Sequence, residues 1–135
     1  VVHPQRKSLT GGFMSATILI ADDLSFMRMI QKEILTERGY TIVGEATDGR
    51  EAVEKFKTLH PDLVLLDITM PNMNGLEAMR KIFALEPKAK VIMCSALGQQ
   101  NLIVEAIKAG VKDFIVKPFK PERILSAIEK ALKVS

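Results

Sequence analysis

Short runs rich in apolar and β-branched residues recur along the chain, and each is followed by a stretch whose apolar residues return with helical spacing. The runs are residues 17–21 (TILIA), 41–46 (TIVGEA), 63–66 (LVLL), 90–94 (KVIMC) and 113–116 (DFIV). The first, third and fourth are nearly continuous in apolar residues, which predicts central strands covered on both faces; the second alternates, which predicts an edge strand. Between them Met27, Ile30, Ile34 and Leu35 share one helical face, as do Ala52, Val53 and Phe56, then Leu76, Met79 and Ile82 or Phe83. Leu102, Ile103, Ala106 and Ile107 mark a fourth helix, and Ile124 or Leu125, Ile128 and Leu132 a fifth. Gly39 and Gly110 stand where helix C-caps belong, and Pro121 suits the first turn of the last helix.

Strand and helix alternating in this way predict βα units wound around a parallel sheet, an α/β doubly wound fold. Right-handed crossovers then bring every strand's C-terminal end to one edge of the sheet, where ligands bind in open α/β folds. The first strand runs out into Asp22 and Asp23, the third into Asp67, the fourth into Ser95, and the fifth into Lys117 and Pro118. Carboxylates about 4 Å apart repel by about 4 kcal/mol at an effective dielectric of 20, so such a cluster calls for a cation or for shifted pKa values. An all-oxygen ligand set points to Mg²⁺, with Mn²⁺ as the other candidate.

Each residue alone has a plainer reading. Asp22 and Asp23 could cap a helix, Lys117 could be a solvated strand-end lysine, and Ser95 a turn serine. Their convergence from four strands favours chemistry. A carboxylate at a strand tip can accept a phosphoryl group, and the charge developing in that transfer needs cationic and hydrogen-bonding clamps, which Lys117 and Ser95 can supply. Pro118 biases Lys117 to extended backbone and leaves the isomer of their peptide bond open.

Composition narrows the setting. The chain has 135 residues, 47% hydrophobic and 26% charged, which fits one globular domain with a real core. Its net charge of +3 owes much to Arg6 and Lys7 in a leading segment, residues 1–13, that contains no acid. Without those two, 17 basic residues stand against 16 acidic ones, so direct nucleic-acid binding is not expected. The segment ends in Gly11 and Gly12 and reads as a disordered leader or expression scar before a domain over residues 14–135. A single cysteine, Cys94, cannot form an internal disulfide and reads as a small buried hydrophobe, which agrees with a cytoplasmic location. The run at residues 17–21 is too short to span a bilayer, and no membrane insertion is expected.

Taken together, Asp22 and Asp23 after strand one, Asp67 before Met70-Pro71 and Gly75, Ser95 followed by Ala96, and Lys117-Pro118-Phe119 resemble the receiver domain of two-component response regulators, in order and spacing, from Met14 to Val134. The resemblance implies a five-stranded flavodoxin-like sheet of order 2-1-3-4-5. It implies that Asp67 accepts phosphate from a histidine kinase, from that kinase's phosphotransfer domain or from a small phosphodonor. Asp23 would bind Mg²⁺ directly and Asp22 through water, with Asp67 and the Thr69 carbonyl completing the metal site. Lys117 would pair with the phosphoryl group or with the Asp67 carboxylate, and Ser95 would swing in to hydrogen-bond the phosphoryl group. Phe114, where family members often carry Tyr, would change its burial on activation without a hydroxyl to report it. By the same resemblance, Thr69 and Leu97 would occupy the variable positions that tune acyl-phosphate lifetime in the family.

The resemblance also implies a partner surface on helix four, strand five and helix five, here Lys108, Lys112, Lys120, Arg123 and Lys130 around Phe114. Phe26 and Met29 on helix one could meet the phosphotransfer domain. Within the family, the stretches 22–29 (DDLSFMRM) and 94–100 (CSALGQQ) are similar to stand-alone chemotaxis regulators, whose downstream target would be a flagellar motor switch protein. The chain would then be a signalling switch that catalyses its own modification rather than an enzyme in the ordinary sense. A receiver domain belonging to a longer transcriptional regulator and a phosphorelay intermediate stay open as alternatives. An aspartyl-nucleophile phosphatase would need an acid two residues after Asp67, where Thr69 stands, and a dinucleotide site a Gly-rich turn where Asp22 and Asp23 stand.

Overall fold

Apolar runs and helical stretches alternate in space as they do in sequence. The computed structural model describes residues 16–133, and the expected leader and the start at Met14 lie outside them. The elements are β1 (Thr17–Ala21), α1 (Ser25–Glu37), β2 (Thr41–Ala46), α2 (Gly49–Leu59), β3 (Leu63–Asp67), α3 (Gly75–Leu85), β4 (Val91–Ser95), α4 (Gln100–Ala109), β5 (Asp113–Val116) and α5 (Pro121–Lys133). All strand pairs are parallel, and the sheet order is β2-β1-β3-β4-β5, as the resemblance implied.

Alternate residues of each strand feed two cores, because a strand sends successive side chains to opposite faces. Leu19, Val64, Leu66 and Met93 pack beneath α2, α3 and α4, against Phe56, Met79, Ile82 and Ile103. Ile18, Ile20, Leu63, Leu65, Ile92 and Ile115 face α1 and α5, against Leu35, Ile124, Ile128 and Leu132. The burial of β1, β3 and β4 on both faces explains their near-continuous apolar runs. The alternating β2 is an edge, as expected, and β5 is the other.

Helix ends follow local chemistry. The Asp48 side chain accepts the Glu51 N–H to cap α2, and Asn74 accepts the Glu77 N–H to cap α3. Gly110 adopts a left-handed φ of 112° at the end of α4, and Gly39 a φ of 98° just beyond α1, so both expected C-cap glycines stand at helix ends. One expectation on helix faces needs correction, and one buried residue was not anticipated. Ile107 is 49% exposed rather than part of the α4 core face, which uses Ile103 and Ala106. Gln31, a polar residue, is buried on α1 beside Leu35, where apolar periodicity alone gives it no place.

The sheet carries one irregularity, a bulge at Val43. Ile18 pairs with Ile42, but Leu19 pairs with Gly44. Beyond it Ala46 lies opposite Ala21, and its carbonyl accepts the Asp22 N–H at 3.0 Å, tying the start of the β1–α1 loop to the edge strand.

Candidate functional site

Strand length decides which residues reach the C-terminal edge. β3 runs one residue past the expected apolar run and includes Asp67, and β4 likewise runs to Ser95. The extension has a backbone cause: Asp67 is in register with Cys94, and the Ile68 N–H donates to the Cys94 carbonyl at 2.9 Å. Lys117 follows β5 and donates its own N–H to the Ser95 carbonyl at 2.8 Å. The Lys117–Pro118 peptide is cis.

Asp22, Asp23 and Asp67 each offer a carboxylate oxygen within 4.8 Å of the others. Asp22 and Asp67 are buried, whereas Asp23 is exposed at the mouth. The Lys117 ammonium stands between the two buried acids, 2.8 Å from Asp22 and 3.3 Å from Asp67. Its closer partner is therefore Asp22, not the Asp67 carboxylate. Capping does not account for the acidic pair: the N-cap of α1 is Leu24, with no side-chain cap, and no acid lies in the first helical turn. One Asp22 oxygen does accept the Leu24 N–H at 2.9 Å, which holds the β1–α1 loop closed around the site.

Charge balance favours a cation here. Among the described residues, three carboxylates share a single ammonium, and burial pushes the Asp67 carboxyl up to about 6, with Lys117 opposing and Asp22 and Asp23 adding to the rise. Desolvation works against the Lys117 ammonium, but Asp22 and Asp67 outweigh it and hold that group above its ordinary range. Hard oxygen donors clustered this closely fit a divalent cation such as Mg²⁺, with Asp23 and the carboxylates behind it as the holding residues.

Ser95 is fully buried, and its Oγ has no hydrogen-bond partner among the described residues. An unpaired buried hydroxyl costs about 1–3 kcal/mol, so this group is poised to gain from any acceptor brought within reach. Thr69 is exposed, and its hydroxyl accepts a hydrogen bond from Gln99 Nε2 at 2.9 Å. Cys94 is buried opposite Asp67 on the neighbouring strand, and burial pushes its thiol up, which makes it an inert core residue as expected.

Two supporting residues were not singled out from sequence. Arg28 on α1 donates from Nη1 to the Asp22 carbonyl at 2.7 Å and from Nε to Glu45 at 2.8 Å, so it clamps the acidic loop onto β2. Lys32 holds the other Glu45 oxygen at 2.8 Å. The signal available was Arg28's place on the first turns of the helix entered from Asp23. Arg28→Met is expected to weaken Mg²⁺ binding about three- to tenfold and to cost about 1–2 kcal/mol, because a charge-assisted bond to a loop carbonyl is lost. Mg²⁺ titration by calorimetry and urea unfolding check the two parts. Gly75, already part of the sequence resemblance, supports the tip of β3: its N–H donates to the Ile68 carbonyl at 2.7 Å, and its Cα lies against the Asp67 backbone.

On the flank made by α4, β5 and α5, Phe114 is half-buried and lines a groove of about 440 Å³ with Val116, Pro118, Phe119 and Arg123. Lys108, Lys112, Lys120 and Lys130 are exposed. Arg123 is not a free cation: it makes two 3.1 Å bonds to the Asp113 carboxylate and one of 2.7 Å to the Phe114 carbonyl. Desolvation raises the Asp113 carboxyl, but Arg123 more than offsets it and keeps it below its ordinary range. Phe26 and Met29 are 65% and 50% exposed on α1, and Leu97 is 78% exposed.

Comparison with known proteins agrees with this geometry. The family model described as "Response regulator receiver domain" matches residues 18–129. The chain is 58% identical to "Chemotaxis protein CheY" of Thermotoga maritima over 120 residues, 89% of this chain and all of that protein. It is 53% identical to "Chemotaxis protein CheY" of Bacillus subtilis over 119 residues, 88% of this chain and 99% of that one. Among solved structures, a chain of the CheX-CheY-BeF3-Mg complex from Borrelia burgdorferi superposes with a TM-score of 0.86 at 36% identity, covering 98% of both chains. No described helix is long and apolar enough to cross a membrane.

Proposed function

The chain belongs to the family of response regulator receiver domains, and from that premise we propose that it is a chemotaxis switch that accepts a phosphoryl group on Asp67. The observation that carries the reading is the trio of carboxylates within 4.8 Å, with Lys117 between Asp22 and Asp67. Asp22, Asp23 and Asp67, with the Thr69 carbonyl, would hold a Mg²⁺ ion, which when bound spreads the negative charge of the phosphoryl oxygens.

An Asp67 oxygen attacks the donor phosphorus in line, forming the P–O bond of an acyl phosphate as the bond to the leaving group breaks. The donor is a phosphohistidine of the cognate kinase or a small acyl phosphate. Lys117 is placed to follow the negative charge from the carboxylate to the phosphoryl group, and Ser95 gains the acceptor that its buried hydroxyl lacks. Because a ligand shifts a two-state equilibrium only by its differential affinity, those contacts must be stronger in the switched form. The readout is the groove beside Phe114 and the lysines around it, which suit an acidic partner segment such as that of a flagellar motor switch protein.

Incubation with acetyl phosphate followed by intact-mass measurement tests the reading. A gain of one phosphoryl group is expected that depends on Mg²⁺ and is absent from Asp67→Asn. An adduct that persists in that variant would move the acceptor elsewhere. No adduct in the parent, together with no binding of beryllofluoride, would leave a phosphorylation-independent binding module.

A further inference from the structure

Gln99 joins the two loops that flank Asp67. Its Oε1 accepts the Ala96 N–H at 2.7 Å, and its Nε2 donates to Thr69 Oγ1 at 2.9 Å. Ala96 directly follows Ser95, and Thr69 lies two residues beyond Asp67. One side chain therefore ties the β4–α4 loop to the β3–α3 loop across the mouth of the site. The donors at the end of β4 thus make no bond to Asp67: the Ser95 hydroxyl is buried without a partner among the described residues, and the Ala96 N–H is taken by Gln99.

We propose that Gln99 is a positioning residue that latches the Ser95 loop in its resting arrangement. The inference rests on the reading of Asp67 as phosphoryl acceptor and names a regulator of that site. For the Ser95 loop to serve an anion on Asp67 it must move relative to the β3–α3 loop, and the Gln99 bonds resist that movement. They are made in the resting arrangement and broken in the switched one, so they weight the equilibrium toward rest. Gln99 also begins α4 with its backbone, its carbonyl accepting from Leu102 and Ile103 N–H, and that role does not need the side chain amide.

The test is a double-mutant cycle with Gln99→Ala and Thr69→Val, the second removing the hydroxyl and keeping the backbone carbonyl. Beryllofluoride affinity is measured in Mg²⁺ by calorimetry, and exchange of the Ala96 amide proton by NMR in the metal-free protein. Gln99→Ala is expected to bind beryllofluoride roughly five- to tenfold tighter, as loss of two neutral hydrogen bonds made only at rest implies, and Thr69→Val roughly twofold to threefold tighter. The double variant should gain no more than Gln99→Ala alone, and Ala96 exchange should quicken in Gln99→Ala. A merely structural role predicts the opposite sign, weaker binding with lower stability. Gln99→Met, which keeps the bulk, should behave like Gln99→Ala; if it does not, packing and not the hydrogen bonds is responsible. Unchanged or weaker binding, or fully additive effects, overturns the latch. A parent chain that binds no beryllofluoride overturns the phosphoryl-acceptor reading itself, and the latch with it.

Discussion

In metal-free solution at pH 7, Asp67→Asn is expected to be more stable than the parent chain by about 3 kcal/mol, an unusual gain for removing a charged residue. The cause is the position of Asp67, buried beside Asp22, where its carboxyl rises from 3.8 to about 6. An acid whose pKa is higher in the folded chain binds its proton more tightly there, so ionising it costs stability. That cost is absent below pH 3.8, grows between pH 3.8 and about 6, and is complete above that. Asparagine never ionises and escapes it, while Lys117 keeps Asp22 as its partner at 2.8 Å. Urea unfolding at pH 7 and at pH 3.5 checks the sign: the advantage of the variant should vanish at the lower pH. Millimolar Mg²⁺ at pH 7 should narrow the gap by stabilising the parent selectively. A variant less stable than the parent at both pH values would mean that Asp67 is held by interactions stronger than the burial that opposes it.

Gly75→Ala is expected to cost about 3 kcal/mol or more, for a reason unrelated to glycine's conformational freedom. A Cβ there would stand 2.1 Å from the Asp67 carbonyl oxygen and 2.9 Å from both the Asp67 carbonyl carbon and Ile68 Cα. All three obstacles are backbone, so no side chain can swing aside, and either α3 or the tip of β3 must retreat. Gly110→Ala is the control, since its Cβ would meet nothing within 4 Å and only the left-handed φ of 112° is penalised. That should cost about 1 kcal/mol. Thermal and urea unfolding of both variants separate the two causes, and equal losses would show that crowding against Asp67 is relieved cheaply. A displaced β3 tip should also slow acetyl phosphate labelling in Gly75→Ala and leave it unchanged in Gly110→Ala.

Much of the site was legible in the sequence because its residues follow apolar runs, and where a parallel strand stops is where its next side chain meets the ligand edge. Asp22, Asp67, Ser95 and Lys117 are of this kind, each read from a run of four or five residues. The cluster of acids was implied by topology once the strands were placed. Contacts made by long side chains across elements were not legible. Arg28 reaches back to the Asp22 carbonyl and out to Glu45, and Gln99 spans two loops that lie 30 residues apart. Arg28's place on the first turns of α1 was the one signal, and nothing in Gln99's own neighbourhood marks its reach. The choice Lys117 makes between Asp22 and Asp67 depends on distances of a few tenths of an ångström, which no pattern encodes. Gln31 and Ile107 mislead for a simpler reason: periodicity assigns faces by polarity, and packing filled one place with a polar residue and left an apolar one outside.

The ion pair between Lys117 and Asp22 joins residues 95 apart in sequence, nearly the full span of the sheet. Such a distant pairing forms only when the chain between has been gathered in, since closing a long loop precedes the contact that rewards it. A polypeptide still emerging from synthesis, or one cut before β5, lacks the ammonium that stands between Asp22 and Asp67. Charge balance at the site is thereby coupled to completion of the sheet: the residue after the last strand carries the ammonium that pairs with the acid after the first.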